Sequence, residues 1–212
     1  MKWYKKLHNK LENKDSTMEN LFANTAKEIM NNYLLNINNF KIELTEIEFY
    51  YFNCDTHDDH YVHIDRLQKE SCDFLYVHKK SYPRGRIDIT FGNQKFYGGI
   101  LIRGIKINNI FVAGSATIKQ YIMDIIPHEA TNYELLQKYF NDNKKNIFLS
   151  KKENTNYDIY CSNRIGLNKE VDERYYNAKY RFVRADYLEQ KNKQYFKSYT
   201  NLKERTKLTE KV

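Results

Sequence analysis

The sequence predicts a single α+β domain in which helices flank a mixed or antiparallel β-sheet that carries a protruding β-hairpin. Three observations predict it. Segments with helical spacing of apolar residues lie on both sides of a central block of β-branched and aromatic segments. No repeat, low-complexity tract or Pro/Gly/Ser linker divides the chain. Its 212 residues are near the size of one domain that buries a core without disulfides or metal. With 41% hydrophobic and 15% aromatic residues but only two prolines and seven glycines, the composition is that of a folded protein.

In chain order, Ser16 with Glu19 forms a capping box ahead of Leu21, Phe22, Ala26, Ile29, Met30 and Tyr33, which predicts a helix to about Leu34. From Lys41 to Phe52 the pattern turns to a strand, with Ile47, Phe49 and Tyr51 on one face and Glu46, Glu48 and Tyr50 on the other. Phe74 to His78 and Arg86 to Phe91 read as the two strands of a hairpin, and the apolar run from Phe96 to Ile107 as a central strand. Ser115 is placed to cap a helix holding Ile118, Tyr121, Ile122 and Ile125, bounded by Pro127. Thr131 with Glu134 opens another helix that ends near Phe140. Short strands are expected at 146–149, 157–161 and 180–183. The domain body is 16–190; residues 1–15 are expected to be an N-terminal extension and 191–212 a basic C-terminal segment, both peripheral.

Cys54, Cys72 and Cys161 are odd in number and widely spaced, against a disulfide framework or zinc knuckle and in favour of a reducing cytosol. The charged N-terminus lacks a signal-peptide core, and no run of about twenty apolar residues spans a bilayer. A soluble, cytoplasmic protein without membrane contact is expected. The net charge of +8 favours polyanionic partners, although half of that excess falls between Glu189 and Val212.

Glu46, Glu48 and Tyr50 put two carboxylates and a phenol in one row, the carboxylates about 7 Å apart along the strand. In a partly dehydrated pocket such a pair suits one member to take a proton from an attacking water. On a half-exposed strand the same pattern is a solvent face. His57, Asp58, Asp59, His60, His63 and Asp65 offer either metal ligands or a polar loop that delivers one histidine to a pocket. In the hairpin turn, Lys79, Lys80, Arg84 and Arg86 surround Tyr82 and Pro83, cations for phosphates with an aromatic wedge at the tip, or an ordinary exposed turn. Arg103 interrupts GGILIRGIKI, where a guanidinium needs a partner such as Glu46 or Glu48.

These segments together resemble a family. LFANTAKEIMNNYLL followed by LTEIEFYY is similar to the helix and strand that open the alkyladenine (3-methyladenine) DNA glycosylases, whose strand reads V-E-x-E-A-Y; the match falls on Glu46, Glu48 and Tyr50. Asp59 to His63 is similar to the family's D-x-A-S-H, and LYVH to its L-Y-V-Y, which places His63 and His78. Tyr82 falls nearest the wedge position, Asp88 where the family has an Asn, and Arg103 on the Arg of A-V-L-L-R-A-L. SNRIGL and YNAKYRFV resemble the closing P-R-I-G-I and P-W-R-F-Y elements, at Arg164, Gly166, Arg181 and Phe182. The resemblance runs in family order from about Leu21 to Leu188. The Tyr and Asn positions are His78 and Asp88 here, the glutamate strand and histidine loop are separated by extra residues, and the loop before the hairpin is shortened.

The resemblance implies a curved sheet and a monofunctional DNA N-glycosylase. Glu48 and Arg103 would be catalytic, with Glu48 activating water. Tyr50, His63, His78, Asp88 and Glu46 would contact the flipped, modified base, and Lys79, Lys80, Tyr82, Arg84 and Arg86 the DNA. Double-stranded DNA is the expected partner of a monomer associated with the nucleoid, with no cofactor and no metal. The alternatives are a non-catalytic DNA binder on the same fold, a nucleoside or nucleotide N-glycoside hydrolase, and a metal-dependent nuclease built on the His57 to Asp65 cluster.

Overall fold

A computed structural model describes residues 2–13, 16–79, 85–126, 132–190 and 210–211. Two helices, α1 (Trp3–Asn13) and α2 (Met18–Asn32), precede the strands β1 (Tyr33–Ile37), β2 (Phe40–Asn53) and β3 (His57–Asp58). A short helix α3 (Arg66–Glu70) leads to β4 (Cys72–Val77), β5 (Ile87–Phe91), β6 (Tyr97–Ile107) and β7 (Ile110–Ala113). Then come α4 (Ser115–Ile125), α5 (Tyr133–Asp142), β8 (Ile147–Lys151), β9 (Ile159–Ser162), α6 (Glu173–Asn177), β10 (Arg181–Arg184) and β11 (Glu210–Lys211).

The chain is a single α+β domain. Its curved sheet runs β11-β9-β10-β2-β6-β5-β4, with β1 and β3 on β2, β7 on β6 and β8 on β1. Every pairing among the described strands is antiparallel, so the sheet is not mixed. The hairpin β4–β5 and the central place of β6 are as the apolar pattern predicts.

Several boundaries differ for identifiable reasons. The cap of α2 is Thr17, whose hydroxyl accepts from the Asn20 amide, rather than Ser16. That helix stops at Asn32, because Tyr33 is extended and opens a strand. β1 and β7 are not expected from the apolar pattern, and both are joined to their partners by Asn-Asn turns. Asn38 has φ 52°, and Asn108 and Asn109 have φ 47° and 64°, the left-handed conformations that two-residue hairpins use and asparagine tolerates. Gly114, not Ser115, is the N-cap of α4, and Asn132 caps α5. Thr131 and Pro127 lie outside the described residues.

The N-terminal residues are not peripheral. Trp3 is 2% exposed, Leu7 is buried with it, and the Trp3 indole donates to Asp73 Oδ1 at 3.2 Å. The main core lies on one face of the sheet, where Phe22 of α2 stacks on Phe49 of β2 at 4.6 Å between ring centroids. Ile118, Ile122, Leu136 and Phe140 extend that core from α4 and α5. The opposite face of β2, β5 and β6 carries the polar side chains considered next.

Candidate active site

The two faces of the sheet are sorted by an irregularity in β2 and β6. Ile42 and Leu44 point into the core, and so do Ile47, Phe49 and Tyr51, so the apolar phase slips by one residue between Leu44 and Ile47. In β6 the same slip separates Ile102 from Ile105. Leu44 pairs with Ile105, Glu46 with Gly104 and Ile47 with Ile102, leaving Thr45 and Arg103 each without a register partner. This paired bulge puts Glu46 and Arg103 on the non-core face within ion-pair distance.

Below the bulge, one row crosses four strands: Glu48 of β2, Leu101 of β6, Asp88 of β5 and Tyr76 of β4 are successive register partners. Directly paired residues share a face. Glu48 and Asp88 therefore stand on one face, two strand spacings or about 10 Å apart, with Leu101 between them as an apolar floor. Tyr50 and Val62 pack on that floor.

Glu48 is fully buried, which rules out the solvent-face alternative. Its Oε1 accepts from the Ile165 backbone amide at 2.8 Å and lies 3.4 Å from Arg103 Nε, and its Oε2 accepts from the Tyr50 hydroxyl at 3.0 Å. Burial first, and the Glu48 charge second, push the Tyr50 hydroxyl well above the usual phenol range, so it stays a proton donor. Glu46 is an ion-pair residue in this structure and not an open pocket wall. Its Oε1 accepts from Arg181 Nε at 2.8 Å and lies 3.3 Å from Arg103 Nε. Burial alone would lower the Arg103 pKa; Glu48 and Glu46 outweigh it and raise the value.

Arg164 and Asp59 form a bidentate ion pair at 2.7 and 3.1 Å with both side chains fully enclosed. The Arg164 guanidinium also donates to the carbonyls of Phe49 and Tyr175 and lies over the Tyr50 ring. From Arg164 the chain runs as a strap across the site. Ile165 caps Glu48, Gly166 turns with φ 77°, and Leu167 packs on the Tyr50 cluster. Tyr61 Oη donates to the carbonyls of Asn168 and Asp172, and His60 Nδ1 sits 3.1 Å from Asp172 Oδ2. The Ile165 amide carries no side-chain signal in the sequence. The Asp59–Arg164 pair spans too many residues for spacing to reveal it.

The histidines gather at the other end of the row. His78 Nε2 lies 2.7 Å from Asp88 Oδ1, and Asp88 Oδ2 accepts from Gln68 Nε2 at 3.0 Å. A side chain at position 99 would collide with both partners of that bond, which accounts for Gly99. The His63 ring meets the His78 ring edge-on at 4.5 Å, and Tyr76 is tilted against it at 5.1 Å. A cleft of about 470 Å³ opens above them, lined by Val62, His63, Asp65, Tyr76 and Lys79 among others. The perpendicular His63 and His78 rings do not form a pair of parallel stacking faces.

The histidines of the 57–65 segment diverge. His57 turns to the Tyr51 carbonyl and Tyr180 hydroxyl, His60 to Asp172 and His63 to His78, while Asp59 is taken by Arg164. Among the described residues no group of three His, Cys, Asp or Glu side chains is placed to hold a metal ion, so the nuclease alternative has no centre there. Lys79 is exposed at the cleft and Arg86 is partly buried at the base of the hairpin. Lys80, Tyr82 and Arg84 lie outside the described residues, as does most of the basic C-terminal segment. Among the described residues no helix is long and apolar enough to cross a membrane.

Comparison with models of protein families and with curated proteins gave no match.

Proposed function

We propose that this chain is a monofunctional DNA N-glycosylase of the alkyladenine glycosylase type, acting as a monomer on modified bases in double-stranded DNA. One observation carries the reading: a buried carboxylate, Glu48, is held by Tyr50, Ile165 and Arg103 at one end of a row whose other end meets an aromatic, histidine-lined cleft. That combination suits extrusion of a base from the duplex and attack by water on its glycosidic carbon.

In this reading Lys79 and Arg86 contact phosphates, and the flipped base enters among Tyr50, His63 and His78. Glu48 orients a water, takes its proton as the oxygen bonds to the anomeric carbon, and stabilises the positive charge that develops on the sugar. Arg103 keeps Glu48 and Glu46 in place through their facing oxygens. No lysine stands in the row, consistent with hydrolysis and not a Schiff-base step. Because Glu48 is fully enclosed, substrate access requires the strap at 165–172 to lift, with Gly166 as its pivot.

The test is base release from alkylated duplex DNA by the protein and by Glu48→Gln, with the free base identified by mass spectrometry. Release by the native protein alone supports the reading, and equal release by the variant overturns the role of Glu48. A non-catalytic DNA binder on this fold is favoured by the fact that both Glu48 oxygens already have donors. It predicts DNA binding with no release from any substrate.

A further inference from the structure

The strap that runs from Arg164 to Asp172 is anchored at both ends and bare between them. Its root is fixed by the Asp59–Arg164 ion pair. Its far end is held by the loop that carries His60 and Tyr61. Tyr61 Oη donates to the carbonyls of Asn168 and Asp172 at 2.5 and 3.0 Å and accepts from the Asp172 amide at 3.2 Å, while His60 Nδ1 sits against Asp172 Oδ2. Residues 168–171 are exposed. A span with so little buried apolar surface opens at low cost, so the bonds at its far end set how much of the time it is closed.

Tyr61 is also a wall of the cleft. Its ring packs on the cluster of Tyr50, Val62 and Leu101, with the Arg164 guanidinium 5.4 Å from its centroid. One side chain thus meets the ligand space with its ring and the strap with its hydroxyl. The strap in turn seals Glu48, through the Ile165 amide and through Leu167 on the same cluster.

We infer that Tyr61 is the latch of a self-closed site: its hydroxyl holds the strap down over Glu48, and a base that enters the cleft displaces its ring, frees the strap and opens the carboxylate. The identity of the ligand rests on the glycosylase reading, whereas the latch itself does not. The ring is rigid, so a shift at its cleft face carries the hydroxyl out of line with the strap carbonyls, and hydrogen bonds weaken steeply with such misalignment. Tyr61 is a positioning residue and takes no part in bond making. Where only the open form accepts a ligand, apparent affinity is lowered by the fraction that is open. Weakening the latch should therefore tighten binding by the same factor by which it promotes opening, as long as the closed form still predominates.

Two substitutions loosen the strap from opposite ends. Tyr61→Phe keeps the ring and removes the hydroxyl. Gly166→Ala acts through backbone conformation alone, since position 166 has φ 77° and open space where a Cβ would stand. Amide exchange of the free protein is followed by NMR at Ile165, whose bond to Glu48 neither substitution removes. Affinity is measured by fluorescence anisotropy for a duplex with one 2′-fluoro-N7-methylguanosine, in which the fluorine opposes positive charge on the sugar and slows cleavage, and for the same duplex unmodified. Thermal unfolding checks the fold. Exchange at Ile165 is expected to quicken about 10–100-fold in Tyr61→Phe and several-fold in Gly166→Ala. Affinity for the modified duplex should rise by the matching factor in each variant, with affinity for the unmodified duplex unchanged. An Ile165 rate that neither variant moves overturns the latch and leaves the glycosylase reading intact. Faster exchange without tighter binding, in a protein that does release N7-methylguanine from ordinary duplex, overturns the link to the ligand. Failure of the native protein to release any base overturns the glycosylase reading and the ligand with it, and the latch then stands or falls on the exchange at Ile165.

Discussion

The guanidinium of Arg164 lies 4.5 Å from the centroid of the Tyr50 ring, and the same guanidinium is clamped by both oxygens of Asp59. One face of the ring proposed to stack on a base is thereby occupied by a cation, which leaves the other face for substrate. The pair also ties the 59–63 loop to the strap, since Arg164 immediately precedes the Ile165 amide that caps Glu48.

Breaking a fully buried ion pair on one side leaves an uncompensated charge, at a cost of about 3–5 kcal/mol. Asp59→Asn and Arg164→Met should each lower the melting temperature by roughly 6–20 °C. The double variant should recover part of the loss. Calorimetric unfolding checks this, and a loss in the double variant equal to the sum of the singles would show that the two side chains act independently.

Tyr50→Phe removes the hydroxyl that donates to Glu48 Oε2 while keeping the ring. A hydrogen bond to a charged acceptor contributes about 1.5–3 kcal/mol, so base release should fall roughly 10–100-fold if the bond serves the transition state. DNA affinity, measured by fluorescence anisotropy, should stay within experimental scatter of the native value.

Gly99→Ala places a methyl group 2.6 Å from Asp88 Oδ2 and 2.7 Å from Gln68 Nε2. Backbone on both sides is in the sheet, so the side chains must give way, breaking the Gln68–Asp88 bond and costing about 1–3 kcal/mol. Denaturant titration should show the midpoint shift with an unchanged slope.

His57 supplies a pH dependence with a definite sign. Tyr51 O only accepts, so Nδ1 carries the hydrogen, and Nε2 accepts from Tyr180 Oη at 2.9 Å. Burial is the main cause that lowers the His57 pKa, and burial likewise raises that of Tyr180, which keeps its proton. With the folded value depressed below the unfolded value of about 6.5, the contribution to stability is present above that pH and is lost as pH falls toward the folded value. Stability should therefore decline on acidification below about 6.5, ahead of the carboxylates. His57→Phe should flatten that part of the profile.

Lys79 and Arg86 are expected to act on DNA through charge alone. Each alanine substitution should weaken binding to all duplex sequences and reduce the slope of log affinity against log salt by about 1. A change confined to one sequence would instead indicate base contact.

Much of this arrangement was legible in the sequence. Alternation assigned Ile47, Phe49 and Tyr51 to one face and Glu46, Glu48 and Tyr50 to the other, and the lone guanidinium in the β6 run pointed to a carboxylate partner, which the structure identifies as Glu46 and Glu48. Elsewhere the local signals are weak or are outweighed by distant contacts. Tyr33 continued the helical spacing of α2 but is held in β1 by pairing with β8, a partner more than a hundred residues away. The Asn-Asn turns at 38–39 and 108–109 mark β1 and β7, a turn signal that hydrophobic periodicity does not carry. Trp3 and Leu7 lie amid lysines, yet they form the buried stripe of a helix on which Tyr4 and Leu11 are half-buried beside them. No sequence pattern reveals that a backbone amide at Ile165 would reach Glu48, because that bond depends on how the strap lies and not on residue type.

The paired bulge sets which deletions the two strands accommodate. The register on either side of it is the same, since the residue added in β2 is matched by one added in β6. Remove Thr45 and Arg103 together and both strands alternate without interruption, with Ile42, Leu44, Ile47, Phe49 and Tyr51 still facing inward and Ile100, Ile102, Ile105 and Ile107 opposite them. Remove either alone and one strand keeps a residue that the other cannot match. A double deletion thus keeps the alternation of both strands where a single one does not, and it takes with it the guanidinium that links the two glutamates.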